Sequence, residues 1–329
     1  MGHSIRRLAF AVFGAWLIAA SSAHAEDDRG APVEFARGSG KLTIAIDGLP
    51  VATYSYEDDQ ITRPYFAHVR VPSGIQVTRH HPPIEGQDLT DHGTFHPGIW
   101  MAFGDISGND YWRLAARVRH AEFVKEPKDG RGEASFSVRN QYLDQHEPSK
   151  VVCEEVARYT FLTRPEGYLL LWDSTFTSDD EFYFGDQEEM GLGVRVATPI
   201  RVEASGDEPA PPGNGAILDS EGRKNGDQVW GNAADWCDYS GTMAGQHVGI
   251  TLLCHPKNFR PSWFHARDYG FVAANPFGRQ AFGKGEASKV VVKAGEELRL
   301  RYGVLLHSAP AGTKPDLDAA YQDYVDVTK

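Results

Sequence analysis

Leu298, Leu300, Tyr302, Val304 and Leu306 occupy every second position of one stretch, with Arg299 and Arg301 between the first of them. Successive side chains of an extended strand point to opposite faces, so this pattern is a strand with one apolar face; a helix does not produce it. Related stretches recur at 42–46, 113–123, 134–139, 152–162, 168–177, 193–198 and 248–253. Pro72-Ser73-Gly74, Lys128-Asp129-Gly130, Arg164-Pro165-Glu166-Gly167 and Lys293-Ala294-Gly295 supply turns between such stretches. This rhythm predicts an all-β chain, a large antiparallel β-sandwich. The period changes near the C terminus, where Pro315 opens a segment with Leu317, Ala320, Tyr321 and Tyr324 at helical spacing. A short helix is expected there, covering a sheet edge.

The chain begins with a different kind of segment. Arg6 and Arg7 precede an apolar run at 8–20, which leads to Ala23-His24-Ala25. This is the layout of a secretory signal peptide over residues 1–25, and the run is too short to span a bilayer, which takes about 20 apolar residues. The mature chain is expected to be periplasmic or extracellular, with no membrane segment after cleavage. Residues 26–40 read as a flexible N-terminal arm, and 41–329 as a single sandwich domain, interrupted by a Gly-, Pro- and acid-rich loop at 203–214. A formal charge of -12 repels phosphate backbones, which excludes nucleic acid as a partner. The three cysteines allow at most one bridge. Cys237 and Cys254 flank an expected hairpin, but burial of all three as small apolar residues is the preferred reading.

Three polar clusters could carry chemistry. Arg79, His80 and His81 precede Asp91-His92-Gly93-Thr94-Phe95-His96-Pro97-Gly98-Ile99-Trp100, so four of the thirteen histidines fall within seventeen residues. Histidine suits proton transfer near neutral pH and is a common metal ligand. His92 and His96 therefore serve either as acid/base groups or as ligands of a divalent metal, although Gly93 and Pro97 argue against the helix of a paired zinc motif. The second cluster is Trp263-Phe264-His265-Ala266-Arg267-Asp268-Tyr269-Gly270; in an extended chain it sets His265, Arg267 and Tyr269 on one face and Phe264 and Asp268 on the other. A guanidinium fork beside aromatic rings is apt for sugar hydroxyls and pyranose faces. The third, Asp186-Gln187-Glu188-Glu189, places three carboxylates just before an expected strand. Carboxylates can divide acid and base work or orient a histidine. Nucleophile-elbow, phosphate-loop and C-x-x-C motifs are lacking, which leaves serine-hydrolase, nucleotide-dependent and thiol-redox chemistry without support.

Arg63-Pro64-Tyr65-Phe66-Ala67-His68-Val69, the 91–100 segment, Phe103-Gly104-Asp105, Trp230-Gly231, the 236–241 segment and the 265–270 segment occur in the order of one family. Over roughly 42–307 the chain resembles the secreted family labelled "methane oxygenase PmoA". The resemblance implies a fold similar to the galactose-mutarotase supersandwich and an association with bacterial sugar catabolism. Together these readings give an exported enzyme acting on a glycoside or a keto-sugar by acid/base hydrolysis or elimination. His92, His96, Glu188 and Glu189 are its expected catalytic groups. Arg79, His81, Trp100, Asp186, Trp263, His265, Arg267 and Tyr269 are expected to hold substrate. The alternative is a non-catalytic carbohydrate-binding module that stacks sugars on Trp100, Trp112, Trp263 and Tyr269.

Overall fold

The computed structural model describes residues 1–2, 30–202 and 212–329. The signal-peptide reading and most of the 203–214 loop fall outside the described residues. Two antiparallel sheets face each other across one core. The nine-stranded sheet runs Trp263–Arg267, Phe271–Asn275, Met190–Arg195, Ile99–Phe103, Tyr65–Ala67, Leu49–Ser55, Lys41–Ile46, Pro32–Gly38 and Gly130–Arg131. The eight-stranded sheet runs Ala216–Asp219, Trp236–Met243, Gln246–Cys254, Glu297–Pro310, Gly167–Thr177, Val151–Arg164, Glu133–Leu143 and Val118–Lys128. A small pair, Phe182–Phe184 with Val290–Val292, stands beside them. This is the expected all-β sandwich.

Aromatic side chains on alternate positions interlock between the sheets: Phe66 meets Trp172 at 5.6 Å between ring centroids, and Tyr54 meets Tyr159 at 5.2 Å. Each such ring removes large apolar area from water, and edge-on contacts add specificity. The turn at Pro165-Glu166 joins strands whose register pairs Arg164 with Gly167. Ala244 and Gly245, both at positive φ (49° and 74°), close the hairpin between Met243 and Gln246, a geometry that matches strand twist.

Several expectations change. Pro32–Gly38 is a strand paired with Lys41–Ile46, so the N-terminal arm is sheet from residue 32 onward. The expected 113–123 strand begins only at Val118, because Arg113 is engaged by Asp110 and Glu189 in a turn. The expected 193–198 strand is Met190–Arg195, followed by a short 3-10 turn around Pro199. The helix Leu317–Val327 covers a sheet face rather than an edge. Its Leu317 and Tyr324 pack on Leu169, Leu253 and Leu305 in the middle of the eight-stranded sheet, where a Cβ at Gly303 would lie 2.9 Å from the Tyr324 ring. Cys153, Cys237 and Cys254 are free and buried.

What positions the site is the outward face of the nine-stranded sheet. In Ile99–Phe103, Ile99, Met101 and Phe103 enter the main core while Trp100 and Ala102 face out. Neighbouring strands add Phe271 and Ala273, and Trp112 from the following loop closes over them. This second, smaller apolar cluster is roofed by the polar loops that carry the histidines.

Candidate functional site

The site grows from one buried cation. Arg195 ends a strand in which Met190, Leu192 and Val194 face the main core; Arg195, like Gly193, faces out, and it is 1% exposed. Its fork grips Asp91 with both terminal nitrogens, at 2.9 and 2.6 Å. Burial alone would raise the Asp91 carboxyl; the hydrogen bond from His92 and the charges of Arg195 and Arg79 outweigh it and hold the group well below the usual carboxylate range. Ionised Asp91 then accepts from His92 Nδ1 at 2.7 Å. That bond selects the tautomer that leaves Nε2 of the neutral ring free to accept a proton, and the His92 side chain is 46% exposed. His92 has φ +51°, a left-handed conformation unusual for a side chain of this size.

Behind His92 the rings form a stack. His96 lies 4.7 Å from His92 with planes 12° apart, and 4.9 Å from Trp100. Phe271 lies 4.7 Å from His96 on one side and 5.0 Å from His265, edge-on, on the other. Tyr269 continues the row, 6.1 Å from His92 with nearly parallel planes, and has the Arg195 guanidinium 4.5 Å from its ring centre. Gly193 makes room for this stack, since a Cβ there would lie 2.8 Å from the Trp100 ring.

On the far side of Phe271 stand the carboxylates. His265 Nδ1 donates to the Glu188 carbonyl at 3.2 Å, and Arg267 donates to the Glu188 carboxylate at 3.0 Å. Burial first, then the Arg267 charge, push His265 down to about 3, so its ring is neutral. Glu189 is held by Arg113, which also grips Asp110. Asn275, fully buried, donates to the carbonyls of Gln187 and Glu188 and fixes that turn. The three clusters thus meet around Phe271. Tyr269 feels all of them: burial raises its hydroxyl, the charges of Asp91 and Glu189 add to that, and those of Arg195 and Arg267 oppose it.

Four expected roles change. Arg79 is 1% exposed and spends its donors on the carbonyls of Leu89, Asp91, His92 and His96, so it shapes the loop and does not meet substrate. Asp186 accepts from the backbone of Gln280, Ala281 and Ser288; it caps a loop and is not a substrate ligand. Trp100 is 0% exposed, beyond the reach of a sugar. His96 is buried in the ring stack, with Nδ1 unpartnered; burial and then Arg195 keep it well below its ordinary pKa. Stacked rings also aim their in-plane nitrogens along parallel planes, so His92 and His96 do not converge on a metal, and no group of three metal-ligating side chains occurs among the described residues. Trp263 is half-buried at the edge of the sheet, with the Arg260 guanidinium 5.4 Å from its ring. His81 stands apart from the stack. It lines a neighbouring cleft of about 1200 Å³ with Tyr65 and His68, and burial pushes it down to about 4. Three contributors were missed in the sequence reading. Asp91 was there beside His92; Arg195 was signalled by a lone charge within an apolar strand; Phe271 looked like any core residue.

Among solved structures, the chain is similar to GH36 α-galactosidase AgaA from Geobacillus stearothermophilus, with TM-score 0.41 and 9% identity, covering 84% of this chain and 40% of that one. It is likewise similar to a galactose mutarotase-like protein from Lactobacillus casei ATCC 334 (TM-score 0.37, 11% identity, 84% and 100% covered). A galactose mutarotase-like protein from Clostridium acetobutylicum gives TM-score 0.35 at 11% identity, with 84% and 94% covered. The chain therefore spans less than half the length of the galactosidase. No curated protein matches it. The methane-oxygenase label finds no counterpart in the family match, which runs over residues 41–322; on that match the chain belongs to the family of unknown function DUF6807.

Proposed function

We propose that the protein is an exported carbohydrate-active enzyme that acts on a glycoside or a keto-bearing sugar through proton transfer at His92. The observation that carries this reading is the Arg195–Asp91–His92 relay: a buried cation clamps a carboxylate, the carboxylate orients an imidazole through Nδ1, and that imidazole is exposed. Such an imidazole can take a proton from water attacking an anomeric carbon while the glycosidic C–O bond breaks and the departing oxygen takes a proton from solvent. It can equally take one from a carbon acidified by a neighbouring keto group, with the electron pair expelling the glycosidic oxygen. Asp91 stabilises the imidazolium that forms in either case. Tyr269 beside it offers a ring for a pyranose face, and the Arg267–Glu188 and Arg113–Glu189 pairs offer donors and acceptors for hydroxyls. Export rests on the segment at residues 1–25.

A stacking module would need exposed, coplanar rings, and Trp100 and Trp112 are 0% and 2% exposed, which favours the catalytic reading. The mature chain should be incubated with a panel of glycosides and their 3-keto forms while released sugar is followed. His92→Ala and Asp91→Asn are each expected to lower kcat about 10²- to 10⁴-fold with little change in KM. Full turnover by His92→Ala would remove it from the mechanism; sugar binding without turnover across the panel would favour the module.

A further inference from the structure

Although the chain as a whole has a formal charge of -12, one groove on the eight-stranded sheet is lined by more cations than carboxylates: four arginines and Lys329 against Glu133 and Asp173. Arg158 and Arg164 from Val151–Arg164, with Arg299 and Arg301 from Glu297–Pro310, line this groove of about 520 Å³ whose floor includes Leu162 and Leu171. Two of these cations are neutralised: Arg164 by Asp323 and Arg299 by Asp173, each through two nitrogens. The other two have no carboxylate partner among the described residues. In the register of the sheet, Asp173 lies between Arg158 and Arg301, one on each side, yet both of its oxygens are taken by Arg299. Arg301 gives one N–H to the Thr328 carbonyl, at 3.1 Å, and Arg158 is exposed with no partner among the described residues.

Two guanidinium groups one strand apart on either side of a third strand sit on Cα atoms about 10 Å from each other. Asp173 between them offsets part of their repulsion, but with Arg299 also on that carboxylate three guanidinium groups share one negative charge, so a further anion is favoured there. Burial, then the Arg299 charge, lower the Arg301 guanidinium, and the Asp173 charge only partly opposes them. A guanidinium fork fits a planar oxyanion through two parallel hydrogen bonds, and leucine side chains suit the apolar face of a ring.

We propose that this groove binds a small organic anion, a carboxylate or sulfate carried on a ring with an apolar face, of the size of an acidic mono- or disaccharide. The groove lies on the opposite sheet from His92, so it is a second site, independent of the catalytic reading.

The test is calorimetric titration of the mature chain with glucuronate, digalacturonate, galactose 6-sulfate, neutral glucose and inorganic sulfate, in the wild type, Arg158→Ala, Arg301→Ala and His92→Ala. The acidic sugars are expected to bind and glucose not. Arg158→Ala and Arg301→Ala should each weaken binding about ten- to hundredfold, the range for a charge-assisted hydrogen bond. His92→Ala should leave binding unchanged, and Arg158→Ala should keep both turnover and melting temperature. Glucose binding as tightly as glucuronate, unaltered affinity in both arginine variants, or loss of binding in His92→Ala would overturn the second site. Inorganic sulfate binding as tightly as the sugars would overturn the ring-bearing ligand. If Arg301→Ala unfolds, Arg301→Lys serves in its place, since it keeps the charge and removes the fork.

Discussion

Two buried carboxylates show how neighbours decide the sign of a residue's contribution. Glu155 lies inside the sandwich and accepts only from neutral groups, Ser174, Asn140 and Tyr142; burial dominates and raises its pKa. Asp238 is as deeply buried, but His307 donates to it at 2.9 Å, Thr251 at 2.8 Å and Ser240 at 2.6 Å, and these outweigh burial and hold it below its ordinary value. A raised folded pKa gives stability that is present in acid and lost as pH rises through it; a depressed one gives stability present above the unfolded pKa and lost as pH falls. Glu155→Gln should therefore gain on the wild type as pH rises above the ordinary carboxylate range. Asp238→Asn should cost about 1–3 kcal/mol near neutral pH, the cost of losing hydrogen bonds to a buried carboxylate, and progressively less in acid. Urea unfolding at several pH values checks both, and parallel curves for the two variants would contradict the assignment. From letters alone the two acids look alike, since each stands in an apolar strand.

Elements carry the next level of constraint. Strand Met190–Arg195 must be glycine where Trp100 and Trp112 lie across it, because a Cβ at Gly193 would come within 2.8 and 3.1 Å of their rings. Gly193→Ala is expected to cost about 1–3 kcal/mol through overpacking and to displace the stack behind His92. A changed near-ultraviolet dichroism together with reduced turnover would show it; an unaltered spectrum would mean that the rings tolerate the methyl group. The C-terminal helix is capped by Asp316, whose side chain accepts from the Ala319 amide at 3.0 Å. Asp316→Ala should lower stability by about 1 kcal/mol in thermal unfolding. The apolar spacing of Leu317, Ala320, Tyr321 and Tyr324 made the helix legible, because a period near 3.6 belongs to one geometry. Its seat on a sheet face was not legible, since an apolar stripe does not say which surface it meets.

For the molecule as a whole, the free and buried cysteines predict that native protein stays unreactive toward a thiol reagent and that all three thiols react once it unfolds. Burial pushes Cys254 up to about 12 and raises the other two further above their ordinary value, so thiolate is scarce as well as shielded. Fast reaction of one thiol in native protein would mean that the core opens locally. Strand periodicity, turn residues and the terminal helix were determined by the sequence itself, because each depends on neighbours within a few positions. So did the reading that His265 and Arg267 share a face opposite Phe264, which the strand Trp263–Arg267 repeats. The tertiary structure alone decided that Arg195 reaches Asp91, that Phe271 stands between His96 and His265, that Arg79 and Asp186 serve the backbone, and that Trp100 is out of reach. Those outcomes depend on contacts between residues up to 177 positions apart, from His92 to Tyr269. Alternation states which way a side chain points, whereas exposure and charge depend on what the rest of the fold lays over it.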